Sequence, residues 1–329
     1  MKPDWKSTLY RYVQERNRAE LEYGINGLTA LVYDDADLQE RAARLLNLRK
    51  NTSKRGVTLK QRETRARIVS SSSSAQEVRV KLALSQQFRY EHKDQAITEF
   101  RNELERLHMV KASVGWKIMR VDALSAENTV TPPDMGGSAS VPFMNPSALA
   151  RSGAIREPIR YNREAAKQYA DRYWDEPNPE YLTFEVDCTS FVSQCLFAGG
   201  APMNYTGQRG TGWWYRGRHK EQELWSYSWA VSHSLQNYLN TGGSGKNRGL
   251  RAERVPSAKE LEIGDVIFYD WEGDSRFQHS TFVTGKDADG MPLVNAHTVN
   301  SKGRYWDYKD SYAWTDRTQY RFFHIADFF

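Results

Sequence analysis

The sequence predicts two α+β domains, each built from helices that are followed by an antiparallel sheet. The length of 329 residues suits about two domains. In the first block, hydrophobic residues change from helical spacing to alternation, which is the change from helix to strand, and in the second block predicted helices are again followed by predicted strands. A segment rich in Pro, Gly and Ser separates the two blocks. We therefore predict an N-terminal domain at 1–122, a linker at 123–155 and a C-terminal domain at 156–329.

Two helices are predicted to open the N-terminal domain, because apolar residues recur there at helical spacing. The first helix ends near Gly24, and the second begins in the acidic stretch Asp34–Asp37, which suits the positive end of a helix dipole. The apolar faces are formed by Trp5, Leu9, Tyr12 and Val13 in the first helix and by Leu38, Ala42 and Leu45 in the second.

Four antiparallel strands are predicted to follow these helices. Apolar and polar residues alternate over Val78–Leu84, as in a half-buried strand. Its predicted hairpin partner is Arg62–Val69, connected through the serine run Ser70–Ser74, and a second hairpin turns near 113–115 between Leu104–Val110 and Trp116–Val121. This order of helices and strands resembles a cystatin-like or NTF2-like domain.

The C-terminal domain is predicted to begin with two helices. Asn162 is a suitable cap for the first, which Pro177 stops, and the second spans Cys188–Ala198 and ends at Gly199. An antiparallel sheet follows, with a hairpin turn at Asp287–Gly290. Its predicted strands are Asp265–Trp271, His279–Gly285 and Met291–Thr298, completed by Arg304–Trp306 and Tyr320–Ile325.

Composition excludes several protein classes. With 39% hydrophobic and 26% charged residues, the chain is globular rather than disordered. No apolar run approaches the roughly 20 residues of a membrane span, and two cysteines exclude a disulfide scaffold and a paired-cysteine zinc site. The N-terminal residues lack the apolar core of a secretory signal, so the default prediction is a cytoplasmic location. No metal ion or cofactor is implied.

Basic residues exceed acidic ones between residues 54 and 93, and the net charge of the chain is +5. A nucleic-acid or wall-polymer surface would show such an excess. However, the charges alternate with apolar residues instead of clustering. We therefore interpret the segment as a solvated strand surface and expect no nucleic-acid partner.

Cys188 is the candidate nucleophile, because it lies at the start of a predicted helix. Backbone N–H groups and the helix dipole favour the thiolate at such a position. Cys195 lies two turns further on among Phe191, Val192 and Leu196, so we expect it to be buried and unreactive.

A nucleophilic cysteine needs a base, and the base must be oriented by a third group. His279 opens a predicted strand and is the candidate base. Asn295 and His297 lie two residues apart on the next strand, hence on one face, and either can accept the second ring N–H of His279. A cysteine, then a histidine, then a polar residue on the neighbouring strand is the order of a papain-like nucleophilic site.

Four motifs, D-C-T-S-F-V-S-Q, E-I-G-D-V-I-F-Y-D, Q-H-S-T-F-V-T-G and L-V-N-A-H-T, resemble the bacterial "putative amidase domain" family. That family is a branch of the papain-like cysteine hydrolases that includes NlpC-like and CHAP-like enzymes. The resemblance implies a papain-like C-terminal domain in which Cys188 is the nucleophile and His279 the base. Its histidine pattern favours His297 as the orienting residue, whereas alignment with the NlpC-like strand favours Asn295.

The resemblance also implies a peptide or amide substrate, with peptidoglycan stem peptides as one candidate, and the cell envelope as an alternative location. Candidate substrate-binding residues are Asp187, Trp213, Trp214 and Tyr215. The aromatic residues are predicted to form a cleft wall or, alternatively, to pack in the core. Asp187 is predicted to cap the helix or to shape the oxyanion pocket. The main prediction is therefore a cysteine hydrolase of amide bonds, and the alternative is a non-catalytic papain-fold module that binds peptide.

Overall fold

The computed structural model describes residues 4–124, 127, 158–219, 222–242 and 249–329. Most of the predicted linker at 123–155 lies outside these residues. The chain divides into two compact units. The first comprises residues 1–127 together with 287–290 and 299–316, and the second comprises the remainder. The C-terminal half of the chain therefore contributes two segments to the first unit.

The first unit begins with helices α1 (Trp5–Glu22) and α2 (Asp35–Arg55). The carboxylates of Asp4 and Asp34 cap these helices by accepting the backbone N–H groups of Ser7 and Asp37. Each helix ends at a left-handed residue, Tyr23 for α1 and Gly56 for α2. Both helices are found where the apolar spacing predicts them.

Five strands form the antiparallel sheet of this unit: β1 (Thr58–Ser73), β2 (Glu77–His92), β3 (Gln95–Ala112), β4 (Gly115–Ala123) and a strand from the C-terminal half, Ser301–Tyr305. The serine run that we predicted as a connection belongs mostly to β1, since residues 70–73 pair with β2. The opposite edge of β3 is shared by β4, which pairs with residues 105–112, and by Ser301–Tyr305, which pairs with residues 100–101.

The helices and the inner face of the sheet enclose apolar residues and a network of buried ion pairs. Arg16 binds Glu103 at 2.9 Å and Glu105 at 3.1 Å, and Arg41 binds Glu105 at 3.2 Å. The hydroxyl of Tyr12 donates to Glu105 at 2.9 Å. Because buried charges are costly unless they are paired, these contacts satisfy the guanidinium and carboxylate groups inside the unit.

The second unit contains helices α3 (Arg163–Arg172), α4 (Cys188–Ala198), α5 (Tyr227–Ala230) and α6 (Ser232–Gly242) and a small hairpin of β5 (Tyr215–His219) and β6 (Gln222–Trp225). Helix α4 has the predicted bounds. Asn162 caps α3 by accepting the N–H of Ala165 at 2.9 Å. The hairpin, α5 and α6 occupy an aromatic-rich region for which the sequence pattern predicted no elements.

The sheet of the second unit has strand order β10-β9-β8-β12-β7. Its members are β7 (Ala252–Val255), β8 (Val266–Asp270), β9 (His279–Lys286), β10 (Pro292–Ala296) and β12 (Gln319–Ile325), with Ser301–Tyr305 numbered β11. All pairings are antiparallel. The strand predicted at Arg304–Trp306 overlaps β11, which pairs with β3, and the strand predicted at Tyr320–Ile325 is β12. Among the described residues, no helix is long and apolar enough to cross a membrane.

Candidate functional site

The candidate nucleophile lies at the start of α4, as the sequence predicts. Cys188 is the first residue of the helix, and 2% of its surface is exposed. Its Sγ lies 3.7 Å from the hydroxyl oxygen of Thr189, which in turn is 3.0 Å from the hydroxyl of Ser280 on β9. Cys188 therefore lies close to hydroxyl groups of α4 and β9.

Burial has the largest effect on the acidity of Cys188. Desolvation raises the pKa of this thiol above its ordinary value, and hydrogen bonds from Ser280, Thr189 and Thr298 counteract only part of that effect. This corrects our expectation that the helix N-terminus favours a resting thiolate. Burial also raises the pKa of Cys195, which is fully buried in the core as predicted.

Thr298 brings backbone strain close to this cluster. Its φ is +81°, a conformation that β-branched residues rarely adopt, since the side chain then crowds the backbone. Such strained residues are concentrated at functional sites. We missed Thr189, Ser280 and Thr298 in the sequence, although each directly follows a residue that we had selected: Cys188, His279 and His297.

His279 has aromatic neighbours in the structure. It is fully buried, and its ring lies 5.4 Å from that of Tyr269 and 5.9 Å from that of Trp271, measured between centroids. Consecutive strand residues point to opposite faces of a sheet. Ser280, which directly follows His279, is the residue whose hydroxyl contacts Thr189 of α4. The pairing of His279 with Cys188 stays a prediction.

Each ring nitrogen of His297 has a hydrogen-bond partner. Its Nδ1 lies 2.8 Å from a carboxylate oxygen of Asp187, and its Nε2 lies 2.6 Å from the carbonyl oxygen of Tyr173. The ring stacks on Phe191 with a centroid distance of 4.1 Å. Since a carbonyl only accepts, Nε2 carries a proton, and a second proton lies between Nδ1 and Asp187. The Asp187–His297 pair is therefore net neutral whichever atom holds that proton.

Asp187 does not cap α4 with its side chain, contrary to the first of our two expectations. Its carboxylate binds His297 instead. Burial raises the pKa of Asp187, and the contacts with His297 and the Ser190 hydroxyl oppose this shift. Asp187 lies directly before Cys188, so the pair of Asp187 and His297 connects the start of α4 to the end of β10.

Asn295 has structural partners. Its side-chain oxygen accepts the Thr284 hydroxyl at 2.9 Å, and its amide nitrogen donates to the Ala170 carbonyl at 3.2 Å and to Asp171 at 3.1 Å. These contacts join β10 to β9 and to α3. The structure consequently places the two alternative orienting residues in different surroundings, with His297 beside α4 and Asn295 against α3.

Two of the three predicted aromatic cleft residues are core residues. Trp213 and Trp214 are at most 1% exposed, and the indole N–H of Trp213 donates to the hydroxyl of Ser193 on α4 at 3.0 Å. Trp213 and Trp214 therefore lie in the core, which was the alternative to the cleft-wall prediction. Tyr215 is half-buried and stacks near Trp229, with ring centroids 5.3 Å apart.

The second half of the chain is similar to known proteins. Residues 160–323 match a family described as "Putative amidase domain". The uncharacterized protein YhbB of Bacillus subtilis (strain 168) is 52% identical over 174 residues, which is 53% of this chain and 53% of that protein. The uncharacterized protein YjcM of the same organism is 27% identical over 149 residues, covering 43% of this chain and 31% of that protein. The chain thus spans about half of the first relative and a third of the second.

A structural similarity covers part of the chain. The intermembrane space region of the chloroplast protein ARC6 matches 36% of this chain and 94% of its own length, with 19% identity and a TM-score of 0.27. No inference follows at that TM-score.

Proposed function

Because residues 160–323 match an amidase domain, we propose that this chain is a cysteine-dependent hydrolase of amide bonds with Cys188 as its nucleophile. The observation that carries the proposal is the position of Cys188 at the first residue of α4, beside the hydroxyls of Thr189 and Ser280. A helix start offers backbone N–H groups to a developing negative charge. The backbone N–H of Cys188 itself is then a donor to the oxyanion.

The proposed reaction is acyl transfer through a thioester. His279 removes the thiol proton as Sγ attacks the substrate carbonyl, and the C–N bond breaks as His279 returns the proton to the departing amine. Water then cleaves the thioester and releases the acid. Burial raises the pKa of Cys188 and so favours the thiol over the thiolate. In the proposed reaction, His279 therefore removes the proton as Sγ attacks rather than before.

In this proposal the Asp187–His297 pair positions the nucleophile. Asp187 adjoins Cys188 in the chain, and His297 is fixed by the carboxylate of Asp187, the carbonyl of Tyr173 and the ring of Phe191. A shift of the pair would displace the first turn of α4. The role of His279 requires that its imidazole reach Sγ within hydrogen-bond distance in the substrate complex, where such contacts tighten.

The substrate class we propose is a peptide or other amide, with peptidoglycan stem peptides as the first candidates to test. The purified chain is incubated with stem peptides and simple peptide amides, and amine release is measured. We expect Cys188→Ala to abolish the release and Cys195→Ala, a matched change in the same helix, to leave it within a few-fold. Loss in the folded Cys195 variant with activity retained in the Cys188 variant would reject the assignment.

The base is tested with His279→Ala and His297→Ala. We expect the His279 change to remove nearly all activity and the His297 change to leave a measurable remainder. The reverse result assigns proton transfer to His297.

The near-complete burial of Cys188 favours one alternative function, a non-catalytic module that binds peptide. Saturable peptide binding without any amine release, in folded protein, supports that alternative.

A further inference from the structure

Cationic side chains from four strands lie side by side on the outer face of the first unit's sheet. Strand register places two rows of residues side by side across β1, β2, β3 and β4. The first row contains Ser72, Arg79, His108 and Arg120, and the second contains Ser70, Lys81, Arg106 and Asp122. Arg65 and Arg67 continue the same face along β1. We refer to these ten residues as the basic face.

Few of these cations are neutralised. Arg120 binds Asp122 at 2.7 Å, and His108 lies 3.5 Å from Glu77. Within the parts of the chain that the structure describes, the other five cations of the basic face have no ion pair. These are Arg65, Arg67, Arg79, Lys81 and Arg106. All five are exposed except Lys81, which is half-buried.

The arrangement of the cations is unfavourable in the absence of an anion. Lys81 and Arg106 lie directly opposite each other on neighbouring strands, and like charges in that position destabilise a sheet. Strand spacing separates neighbours across the sheet by about 4.8 Å and alternate residues along a strand by about 7 Å. The basic face is thus a two-dimensional array of positive charges, most of them without an ion pair among the residues that the structure describes, that can contact several anionic groups of one linear polymer at once.

The side chains specify which polyanion fits. Guanidinium groups bind phosphate with two hydrogen bonds, and the serine hydroxyls at positions 70 and 72 add further donors. Neither row contains a Phe, Tyr or Trp side chain, whereas proteins that bind single-stranded nucleic acid use such rings to stack bases. We propose that the basic face binds a linear phosphate-bearing polyanion that carries no stacking bases. This inference does not depend on the proposed hydrolase.

Binding is measured by fluorescence anisotropy with labelled long-chain inorganic polyphosphate as the probe and the whole chain as the receptor. With about five phosphate contacts, counterion release predicts that affinity falls about 100-fold between 50 and 200 mM salt. The variant Arg67→Gln/Arg79→Gln/Arg106→Gln should lower the slope of log affinity against log salt by about 2 and weaken binding about 100-fold at 0.1 M salt.

The control removes the same number of charges from an exposed surface of α2, through Arg49→Gln/Lys50→Gln/Lys54→Gln. It should leave both the affinity and the slope nearly unchanged. The proposal is overturned if the control variant loses as much affinity as the face variant, or if no binding is detected at 50 mM salt. Tighter binding of single-stranded DNA of equal charge, or of vesicles rich in anionic lipid, also overturns it.

Discussion

Replacement of Asp187 separates the hydrogen-bonding role of this residue from its charge. In Asp187→Ala, the Nδ1 of His297 loses its partner at 2.8 Å, while Nε2 remains bound to the Tyr173 carbonyl. Leaving a buried polar group unsatisfied costs about 1–3 kcal/mol. In Asp187→Asn, the new amide can donate to Nδ1 of a neutral imidazole at the same position. Because the Asp187–His297 pair is net neutral already, the asparagine variant should lose less than about 1 kcal/mol.

Thermal and denaturant unfolding measure these differences. For a unit of this size, the expected loss in Asp187→Ala corresponds to a decrease in melting temperature of about 2–12 °C. Turnover of an active amide substrate is measured on the same preparations, and we expect kcat to fall more in the alanine variant than in the asparagine variant. Equal destabilisation by both substitutions would refute the reasoning, because it would show that the carboxylate charge, and not its hydrogen bond, stabilises the site.

Three further outcomes are expected. His297→Ala should lower kcat by about 10–10⁴-fold with little change in KM, and Asn295→Ala should lower it less. The reverse order in equally folded variants would give Asn295, and not the Asp187–His297 pair, the positioning role. A hydrogen bond to Asp265 raises the pKa of His324 above its ordinary value. The contribution of His324 to the free energy of unfolding is therefore complete below about pH 6.5, the pKa of a free histidine, and is lost as pH rises through the raised pKa. His324→Ala should flatten this pH dependence in unfolding curves, and an unaltered curve would contradict the role of the His324–Asp265 hydrogen bond. In a variant that lacks Cys195, iodoacetamide should modify Cys188 slowly at pH 7 and faster at alkaline pH, because burial raises the pKa of the Cys188 thiol. A modification rate that is already maximal below pH 8 would contradict the raised pKa.

The fold also bears on how the two units can be studied. The family match at residues 160–323 contains the segments 287–290 and 299–316, which belong to the first unit. Within that unit, Arg101 binds Asp310, and β11 pairs with β3. A truncated chain that starts at the predicted boundary near 156 would remove the partners of these segments, so activity is best measured on the whole chain.

The sequence by itself determined the elements whose signals are local. Helix α4 has the predicted bounds, because its apolar residues recur at helical spacing and Gly199 follows it. The hairpin turn at Asp287–Gly290 forms as predicted, with Gly290 at a φ of +75° and its N–H bound to the Asp287 carbonyl. Cys195 is buried among apolar neighbours that are visible within two turns of its own helix.

Only the tertiary structure decided features that depend on residues distant in the chain. The partner of Asp187 is His297, 110 positions away, so no local pattern distinguishes this ion pair from a helix cap. The acidity of Cys188 depends on its burial and on hydrogen bonds from Ser280 and Thr298, which lie far from it in the chain. The pairing of β11 with β3 depends on which sheet edge is open, and a strand's own sequence does not contain that information.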